Sequence, residues 1–131
     1  DEDTLAFNRV MDAFSLPKGT AEEKAARKAA IQSATLAAIA APLEVMKVAL
    51  ASMDLIEQMA SIGNPASVSD AGVGALCARS AVLGAHLNVK INAASVEDKA
   101  SVAPILAEAA SIASRAIARE AAILAIVESK I

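Results

Sequence analysis

Apolar residues recur at intervals of three and four along almost the whole chain, which is the period of a helix that buries one face. The pattern divides into four segments: residues 1–16, a long stretch that begins at Ala21 and ends at Ile62, residues 70–92, and a last segment that reaches Ile131. It therefore predicts an all-α protein. The second segment forms either one long bent helix or two abutting ones.

Helix-breaking and capping residues separate these segments. Pro17 ends the first, and Thr20 with Glu23 has the pattern of a capping box, in which each side chain accepts a hydrogen bond from the other residue's backbone. Pro42 lacks the N–H that a helix interior uses, so it predicts a kink in the second helix rather than its end. The run Gly63-Asn64-Pro65 ends that helix.

Two possible N-caps precede each of the last two helices. Ser67 and Ser69 stand before the third, and Ser95 and Asp98 stand before the fourth. The third helix also carries glycines, which cost about 1 kcal/mol each relative to alanine in a helix interior. We expect those glycines to mark the close approach of another backbone or of a ligand; they are Gly72, Gly74 and Gly84.

Alanine dominates the apolar composition. Hydrophobic residues make up 56% of the chain, yet there is no Trp or Tyr, and Phe7 and Phe14 are the only aromatic residues. Alanine is the best helix former and lets helix axes approach closely. A chain of 131 residues suits one domain. We therefore expect a single domain, residues 1–131, in which long antiparallel alanine-rich helices form a bundle and oligomerise through helix faces.

Charge and hydropathy exclude several classes of protein. The net charge is −3 and the basic residues are scattered, which argues against a nucleic-acid surface. The longest uncharged run, residues 29–43, is too short for a membrane-spanning helix, which needs about 20 apolar residues. The acidic start Asp1-Glu2-Asp3 is unlike a signal peptide. With one cysteine, Cys77, the sequence predicts a cytoplasmic protein without disulfides.

Polar residues along the third helix are the candidates for chemistry, since the sequence has no metal or nucleotide motif. Asn88 and Asn92 lie one turn apart, so their amides could together bind a flat heterocycle, or Asn92 could cap the helix end. Asp70 lies in the first turn, where a carboxylate also stabilises the helix dipole. His86 could transfer protons near neutral pH or be a hydrogen-bonded core residue.

Several blocks in order resemble the cyclodeaminase/cyclohydrolase family, which comprises the cyclodeaminase domain of formiminotransferase-cyclodeaminase and bacterial methenyltetrahydrofolate cyclohydrolases. The resemblance covers nearly the whole chain and is specific as a combination. The blocks are Ala6-Phe7 through Met11, Leu16-Pro17-Lys18-Gly19-Thr20-Ala21-Glu22-Glu23-Lys24, Ser69-Asp70, and Gly84-Ala85-His86-Leu87-Asn88-Val89-Lys90-Ile91-Asn92, with Pro42-Leu43 and Gly63-Asn64 before Ser69.

The resemblance implies a homodimer or larger homo-oligomer that binds a tetrahydrofolate substrate near the subunit interface. It implies acid/base chemistry that interconverts 5-formimino-, 5,10-methenyl- and 10-formyltetrahydrofolate without a metal or other cofactor. Asp70, with Ser69 beside it, becomes the candidate catalytic group. Asn88, Asn92 and His86 become candidate substrate contacts, and Lys18 a candidate partner for the substrate's glutamate carboxylates.

Two departures from the family pattern qualify this interpretation. Relatives carry a glycine-rich "PGGGS" stretch upstream of the point where this sequence begins, so we expect part of the site to lie outside these 131 residues. Relatives also often have an aromatic residue at the position of His86. The rival interpretations are a non-catalytic helical scaffold protein and a small-molecule binding protein that has lost catalysis. A scaffold would not need Ser69, Asp70, Asn88 and Asn92 in one cleft.

Overall fold

The computed structural model describes residues 2–131 and is almost entirely helical. Its elements are α1 (Glu2–Phe14), α2 (Ala21–Ile62), α3 (Val68–Ser95) and α4 (Lys99–Glu128), with one turn of 3-10 helix at Pro65–Ser67 before α3. There is no strand among the described residues, so the predicted all-α class is confirmed. The third helix is longer than predicted at both ends, and the fourth ends three residues before Ile131.

The capping box at the start of α2 is confirmed. The backbone N–H of Glu23 donates to Thr20 Oγ1 at 3.1 Å, and the backbone N–H of Thr20 donates to Glu23 Oε2 at 3.0 Å. The backbone N–H of Gly19 also donates to Glu23 Oε2, at 2.7 Å. One carboxylate therefore fixes the whole turn that leads into the longest helix.

The caps of α3 and α4 decide between the alternatives that the sequence left open. Asp98, not Ser95, caps α4, because its Oδ1 accepts the backbone N–H of Ala100 at 3.1 Å. Ser95 is instead the last residue of α3. Ser67 occupies the N-cap position of α3 but makes no side-chain capping bond, and Ser69 lies inside the first turn.

Helices α2, α3 and α4 form a three-helix bundle in which α3 runs antiparallel to the other two. The direction of α3 follows from contacts at its two ends, because Gly74 lies against Ile56 and Asn92 bonds to Ala38. At 1.5 Å per residue, the 42 residues of α2 extend for about 63 Å, against about 42 Å for the 28 residues of α3. The N-terminal part of α2 therefore projects beyond α3.

Helix α1 packs on this projecting part of α2, in the antiparallel direction. The guanidinium of Arg27 fixes the connection, since its Nε and Nη2 both donate to the carbonyl of Phe14, at 3.1 and 3.0 Å. The residues that α1 buries are Ala6 and Ala13. Its large side chains, including Phe7 and Phe14, stay about half exposed.

Half of the buried hydrophobic residues are alanine, as the composition predicts. They alternate with a few large side chains, of which Ile39, Met46, Met53 and Ile123 are the largest that are fully buried. An added Cβ would lie 3.4 Å from Val127 Cγ1 at Gly72 and 3.7 Å from the Ile56 side chain at Gly74, so both glycines face side chains of a neighbouring helix at ordinary contact distance rather than another backbone. At Gly84 an added Cβ would meet nothing within 4 Å, so no close approach exists there within the described chain.

Helix α2 passes a membrane-span criterion that the sequence argument did not anticipate. An 18-residue window of it reaches a mean hydropathy of 1.6, which is sufficient by length and composition to cross a bilayer. Core helices reach the same value, and here Ile39, Met46 and Met53 of α2 pack inside the bundle. The large apolar residues of this helix that stay exposed are Val45, Val48, Leu55, Met59 and Ile62.

Thr20→Ala should lower the free energy of unfolding by about 1 kcal/mol, because it leaves the Glu23 N–H without its capping acceptor. Chemical denaturation followed by circular dichroism measures this loss. Ser33→Ala is the matched control: Ser33 lies exposed in the interior of the same helix, where alanine is the better helix former. Equal stability of Thr20→Ala and the wild type would contradict the role of the capping box.

Candidate functional site

A cleft of about 310 Å³ lies between α1, α2 and α3, and we call it the Asn cleft because Asn88 and Asn92 line it. It is bounded by α1 on one side and α3 on the other, with the projecting part of α2 as its floor. Besides the two asparagines, its lining residues are Asp3, Phe7, Val10, Phe14, Ile31, Thr35, Ala38 and Ser95. Acidic, amide, hydroxyl and aromatic groups thus share one concave surface.

Asn92 has a structural reason for its position. Pro42 has no N–H, so the carbonyl of Ala38, four residues earlier, lacks its helical hydrogen-bond donor. Asn92 Nδ2 donates to that carbonyl at 3.3 Å, across the seam between α3 and α2. The interpretation of Asn92 as a helix cap is therefore wrong, since α3 continues to Ser95. Its amide oxygen stays available to the cleft.

Asp3 is the acidic residue of the Asn cleft, and the sequence argument missed it. In the sequence it stands only as part of the acidic start Asp1-Glu2-Asp3. The spacing of Asp3, Phe7, Val10 and Phe14 is four, three and four, which places these residues on one face of α1. That face lines the cleft. The periodicity could have identified the face, but not that it lies opposite Asn88.

Lys18 lines a second cleft, of about 350 Å³, that adjoins the Asn cleft through the shared residues Phe14, Ile31 and Ser95. This second cleft, the basic cleft, also contains Lys24, Arg27 and Lys28. Lys28 Nζ pairs with Glu97 Oε2 at 2.6 Å, and Arg27 is held at Phe14. Lys18 and Lys24 form no ion pair with a described residue, so their charges are available to an anionic ligand.

Asp70 lies far from the Asn cleft. It is separated from Asn88 by 18 residues of one continuous helix, or about 27 Å. Since 18 residues make five full turns, both side chains project from the same side of α3. Asp70 lines a third, mostly apolar cleft of about 370 Å³ with Leu55, Ile56, Met59, Asn64, Ser67, Ala71 and Gly74. The expectation of Asp70 and the asparagines in one cleft is therefore wrong for a single chain.

The other polar residues of α3 lie outside these clefts. Ser69 is exposed beside Asp70, and Arg79 Nε lies 3.0 Å from Glu120 Oε2 in an ion pair that links α3 to α4. His86 is partly buried and forms no hydrogen bond with a described residue. Burial, and secondarily the charge of Lys90, lowers the pKa of the imidazole below its ordinary value of 6.5. His86 is therefore neutral at physiological pH and does not contact the Asn cleft.

A fourth cleft, of about 400 Å³, lies between α2 and α4 and is rich in charge. Most of its charged side chains form ion pairs with one another. Lys47 Nζ pairs with Glu108 Oε1 at 3.0 Å, and Arg119 binds both Asp54 and Glu57. These pairs link the two helices. The Asn cleft, whose Asp3 and Asn88 form no hydrogen bond with a described residue, is the better candidate for a ligand site.

The class of protein is an all-α helical bundle, rich in alanine, with a small polar cleft. Residues 2–131 contain no cluster of three or more side chains that could hold a metal ion. The family follows from comparison with known proteins. Residues 1–111 match the model of the formiminotransferase-cyclodeaminase family. The chain belongs to that family, which confirms the resemblance seen in the sequence.

The chain is similar in sequence to known enzymes of two kinds. The chain is 41% identical to a methenyltetrahydrofolate cyclohydrolase of Methylorubrum extorquens, over 99% of its own length and 62% of the relative's. It is 33% identical to a formimidoyltransferase-cyclodeaminase of Sus scrofa over 99% of its own length and 24% of the relative's. A second formimidoyltransferase-cyclodeaminase, from Gallus gallus, is 35% identical over 76% of the chain and 18% of that relative.

Asn92→Ala should destabilise the bundle by about 1–2 kcal/mol, because the buried Ala38 carbonyl then lacks a partner. In a Pro42→Ala background the same change should cost much less, since residue 42 regains an N–H that bonds to Ala38. A double-mutant cycle of unfolding free energies measures this coupling. The control is Asn88→Ala, which removes an exposed, unbonded amide. Identical costs of Asn92→Ala in both backgrounds would contradict the assigned bond.

Acid should weaken the fold through His86. Its folded-state pKa lies below 6.5, so the unfolded state binds more protons, and the free energy of unfolding falls as pH drops below 6.5 toward the folded pKa. His86→Gln should flatten this dependence between pH 7 and the onset of carboxylate titration. Lys90→Gln, which removes the lesser cause, should flatten it only slightly. Denaturation midpoints at several pH values test both, and an unchanged slope in His86→Gln would refute the assignment.

Proposed function

We propose that the protein containing this chain is a folate one-carbon enzyme, with methenyltetrahydrofolate cyclohydrolase as its activity. Family membership supports the folate role. The choice of activity is supported by the relative named methenyltetrahydrofolate cyclohydrolase, which is 41% identical and of which this chain spans 62%. The relatives named formimidoyltransferase-cyclodeaminase are less similar, and the chain spans only 24% of the porcine one.

The chemistry of the Asn cleft is the observation that carries the proposal. A pterin ring is flat and presents N–H donors and a carbonyl acceptor along its edge. The carboxylate of Asp3 can accept from the donors, and the amide of Asn88 can both donate and accept. Phe7 and Phe14 offer ring faces for stacking.

The basic cleft gives the substrate a direction. With the pterin in the Asn cleft, the glutamate end of the folate extends past Phe14 toward Lys18 and Lys24. Both lysines are exposed cations without an ion pair to a described residue, and carboxylates are their natural partners. Lys18 therefore keeps the role that the family resemblance implied, and Lys24 joins it.

The proposed reaction needs only proton transfer. Water adds to the methenyl carbon and gives up one proton. The tetrahedral carbon then loses its bond to N5, which takes up a proton, while the hydroxyl on that carbon gives up its proton and becomes the carbonyl of 10-formyltetrahydrofolate. One proton is released overall, and a general acid/base residue near the carbon speeds these proton transfers. Asp70, with Ser69 beside it, remains the proposed group. It cannot reach the Asn cleft of its own chain, because about 27 Å of helix separates Asp70 from Asn88.

A second candidate activity is formimidoyltetrahydrofolate cyclodeamination, in which N10 attacks the formimino carbon and ammonia leaves. It uses the same pterin position, and the animal relatives favour it. A non-catalytic scaffold is the third candidate, favoured by the exposed large apolar residues of α2. A cytoplasmic location and chemistry without a resident cofactor stay predictions.

Ultraviolet absorbance of methenyltetrahydrofolate tests the proposal. The purified protein should accelerate loss of the absorbance, and Asp3→Asn and Asn88→Ala should each raise KM severalfold, because both remove contacts to the pterin edge. Glu128→Gln, at the far end of α4, is the control with unchanged kinetics. Formation of methenyltetrahydrofolate with release of ammonia from the 5-formimino compound would establish the cyclodeaminase instead. No rate above background in either assay would contradict both activities.

A further inference from the structure

Helix α1 supplies three groups of the proposed pterin site, Asp3, Phe7 and Phe14, but is only lightly attached to the rest of the molecule. Its backbone approaches no helix other than α2, and against α2 it buries only Ala6 and Ala13. Among residues 2–131, no polar side chain of α1 forms a hydrogen bond or an ion pair with another helix. The placement of α1 beside the Asn cleft therefore depends on very few contacts.

Arg27 of α2 supplies the polar contact that reaches α1 from another helix. Its Nε and Nη2 donate to the carbonyl of Phe14 at 3.1 and 3.0 Å, and its guanidinium carbon lies 5.5 Å from the centre of the Phe14 ring. That carbonyl belongs to the last residue of α1, where a helix has no N–H of its own to satisfy it and a positive charge is favoured. One guanidinium thus fixes both the backbone and the side chain of Phe14.

Two side chains of α2 hold the two ends of the loop that joins α1 to α2. Arg27 holds the end at Phe14. The carboxylate of Glu23 holds the other end, because it accepts the backbone N–H groups of Gly19 and Thr20. Glu23 and Arg27 are four residues apart, so they lie on one face of α2. The direction in which α1 leaves the loop is therefore set at Arg27.

Asp3 lies far from the point at which α1 is fixed. It precedes Phe14 by 11 residues, or about 16 Å along the helix. A rotation of α1 by about 10° around Phe14 would move Asp3 by about 3 Å. A hydrogen bond is lost when its donor and acceptor separate by much less than that. A small displacement at Arg27 therefore becomes a large one at the Asn cleft.

We propose that Arg27 is a positioning residue for the pterin. The inference rests on the proposed function, in which the Asn cleft binds the pterin. Arg27 does not line that cleft; it fixes Phe14 in the wall that the Asn cleft and the basic cleft share, and through α1 it fixes Asp3 at the pterin edge. Substrates therefore bind tightly only when the contact between Arg27 and Phe14 is intact.

A direct role for Arg27 in binding the substrate would have a different signature. Arg27 also lines the basic cleft, and its Nη1 donates to no described residue, so it could bind a glutamate carboxylate as Lys18 and Lys24 do in the proposed function. A carboxylate partner acts only on substrates that carry the glutamate. A positioning residue acts on the pterin itself, so it affects substrates with and without the glutamate equally.

Steady-state kinetics of Arg27→Lys with two substrates separate these roles. Lysine keeps the charge but cannot donate two hydrogen bonds in the geometry of the guanidinium, so the hold on Phe14 is lost. We expect KM to rise about tenfold both for 5,10-methenyltetrahydrofolate and for 5,10-methenyltetrahydropteroate, which lacks the glutamate, with kcat changed less than about twofold. Lys24→Gln should instead raise KM for the folate but not for the pteroate.

The matched control is Arg9→Lys, the same substitution at an exposed residue of α1 that forms no hydrogen bond with a described residue; its kinetics should equal those of the wild type. An increase in KM of Arg27→Lys that disappears with the pteroate would make Arg27 a carboxylate partner and overturn the proposal. An unchanged KM for both substrates, or a loss confined to kcat, would overturn it as well.

Hydrogen–deuterium exchange without substrate measures the placement of α1 independently of activity. Arg27→Lys should speed exchange at residues 2–14 about tenfold and leave α3 and α4 unchanged, because it weakens the polar contact that holds α1. Arg9→Lys should match the wild type. Equal exchange in Arg27→Lys and the wild type would overturn the proposal. An inactive wild type would refute the proposed function, while the exchange result would still decide whether Arg27 fixes α1.

Discussion

The close approach of α2, α3 and α4 through alanine and glycine is the constraint on which the rest of the structure depends. Half of the buried hydrophobic residues are alanine, and at Gly72 even an added Cβ would already be in contact with Val127, at 3.4 Å. Helices packed so closely have little room for large side chains between them. Most of the large apolar residues of α1 and many of those on α2 and α3 therefore lie outside the core.

This displacement of large side chains from the core creates the Asn cleft and leaves apolar residues of α2 exposed. Helix α1 buries only Ala6 and Ala13 against α2, so Phe7 and Phe14 are left to line the Asn cleft. Pro42 adds a second consequence, because the carbonyl that it leaves unpaired fixes Asn92 at the edge of the same cleft. The hydrogen bond of Asn92 therefore stabilises the contact between α2 and α3 and also fixes a side chain that lines the Asn cleft.

The sequence predicted the local features of this fold and missed those that depend on distant contacts. The capping box of Thr20 and Glu23 was predictable because its residues are three apart, and the helix end at Gly63 follows from a turn signal. The bond between Asn92 and Ala38 joins residues 54 apart, so no local pattern indicates it. Helical periodicity identifies the face of α1 that carries Asp3, but only the tertiary fold places that face opposite Asn88.

The separation of Asp70 from Asn88 has the same origin. Family blocks show which residues occur together in the chain, whereas their spacing along one helix decides whether they can meet. Ser69, Asp70, Asn88 and Asn92 all lie on α3, and the length of that helix keeps the two pairs apart.

Hydrogen–deuterium exchange with and without 5-formyltetrahydrofolate tests the central claim most directly. If the pterin binds in the Asn cleft between α1 and the C-terminal end of α3, ligand should slow exchange in α1 and at that end of α3. Residues 18–28, which border the basic cleft, should also be protected. Slower exchange confined to the α2–α4 cleft around Lys47 and Arg115, or no change in α1, would contradict the account.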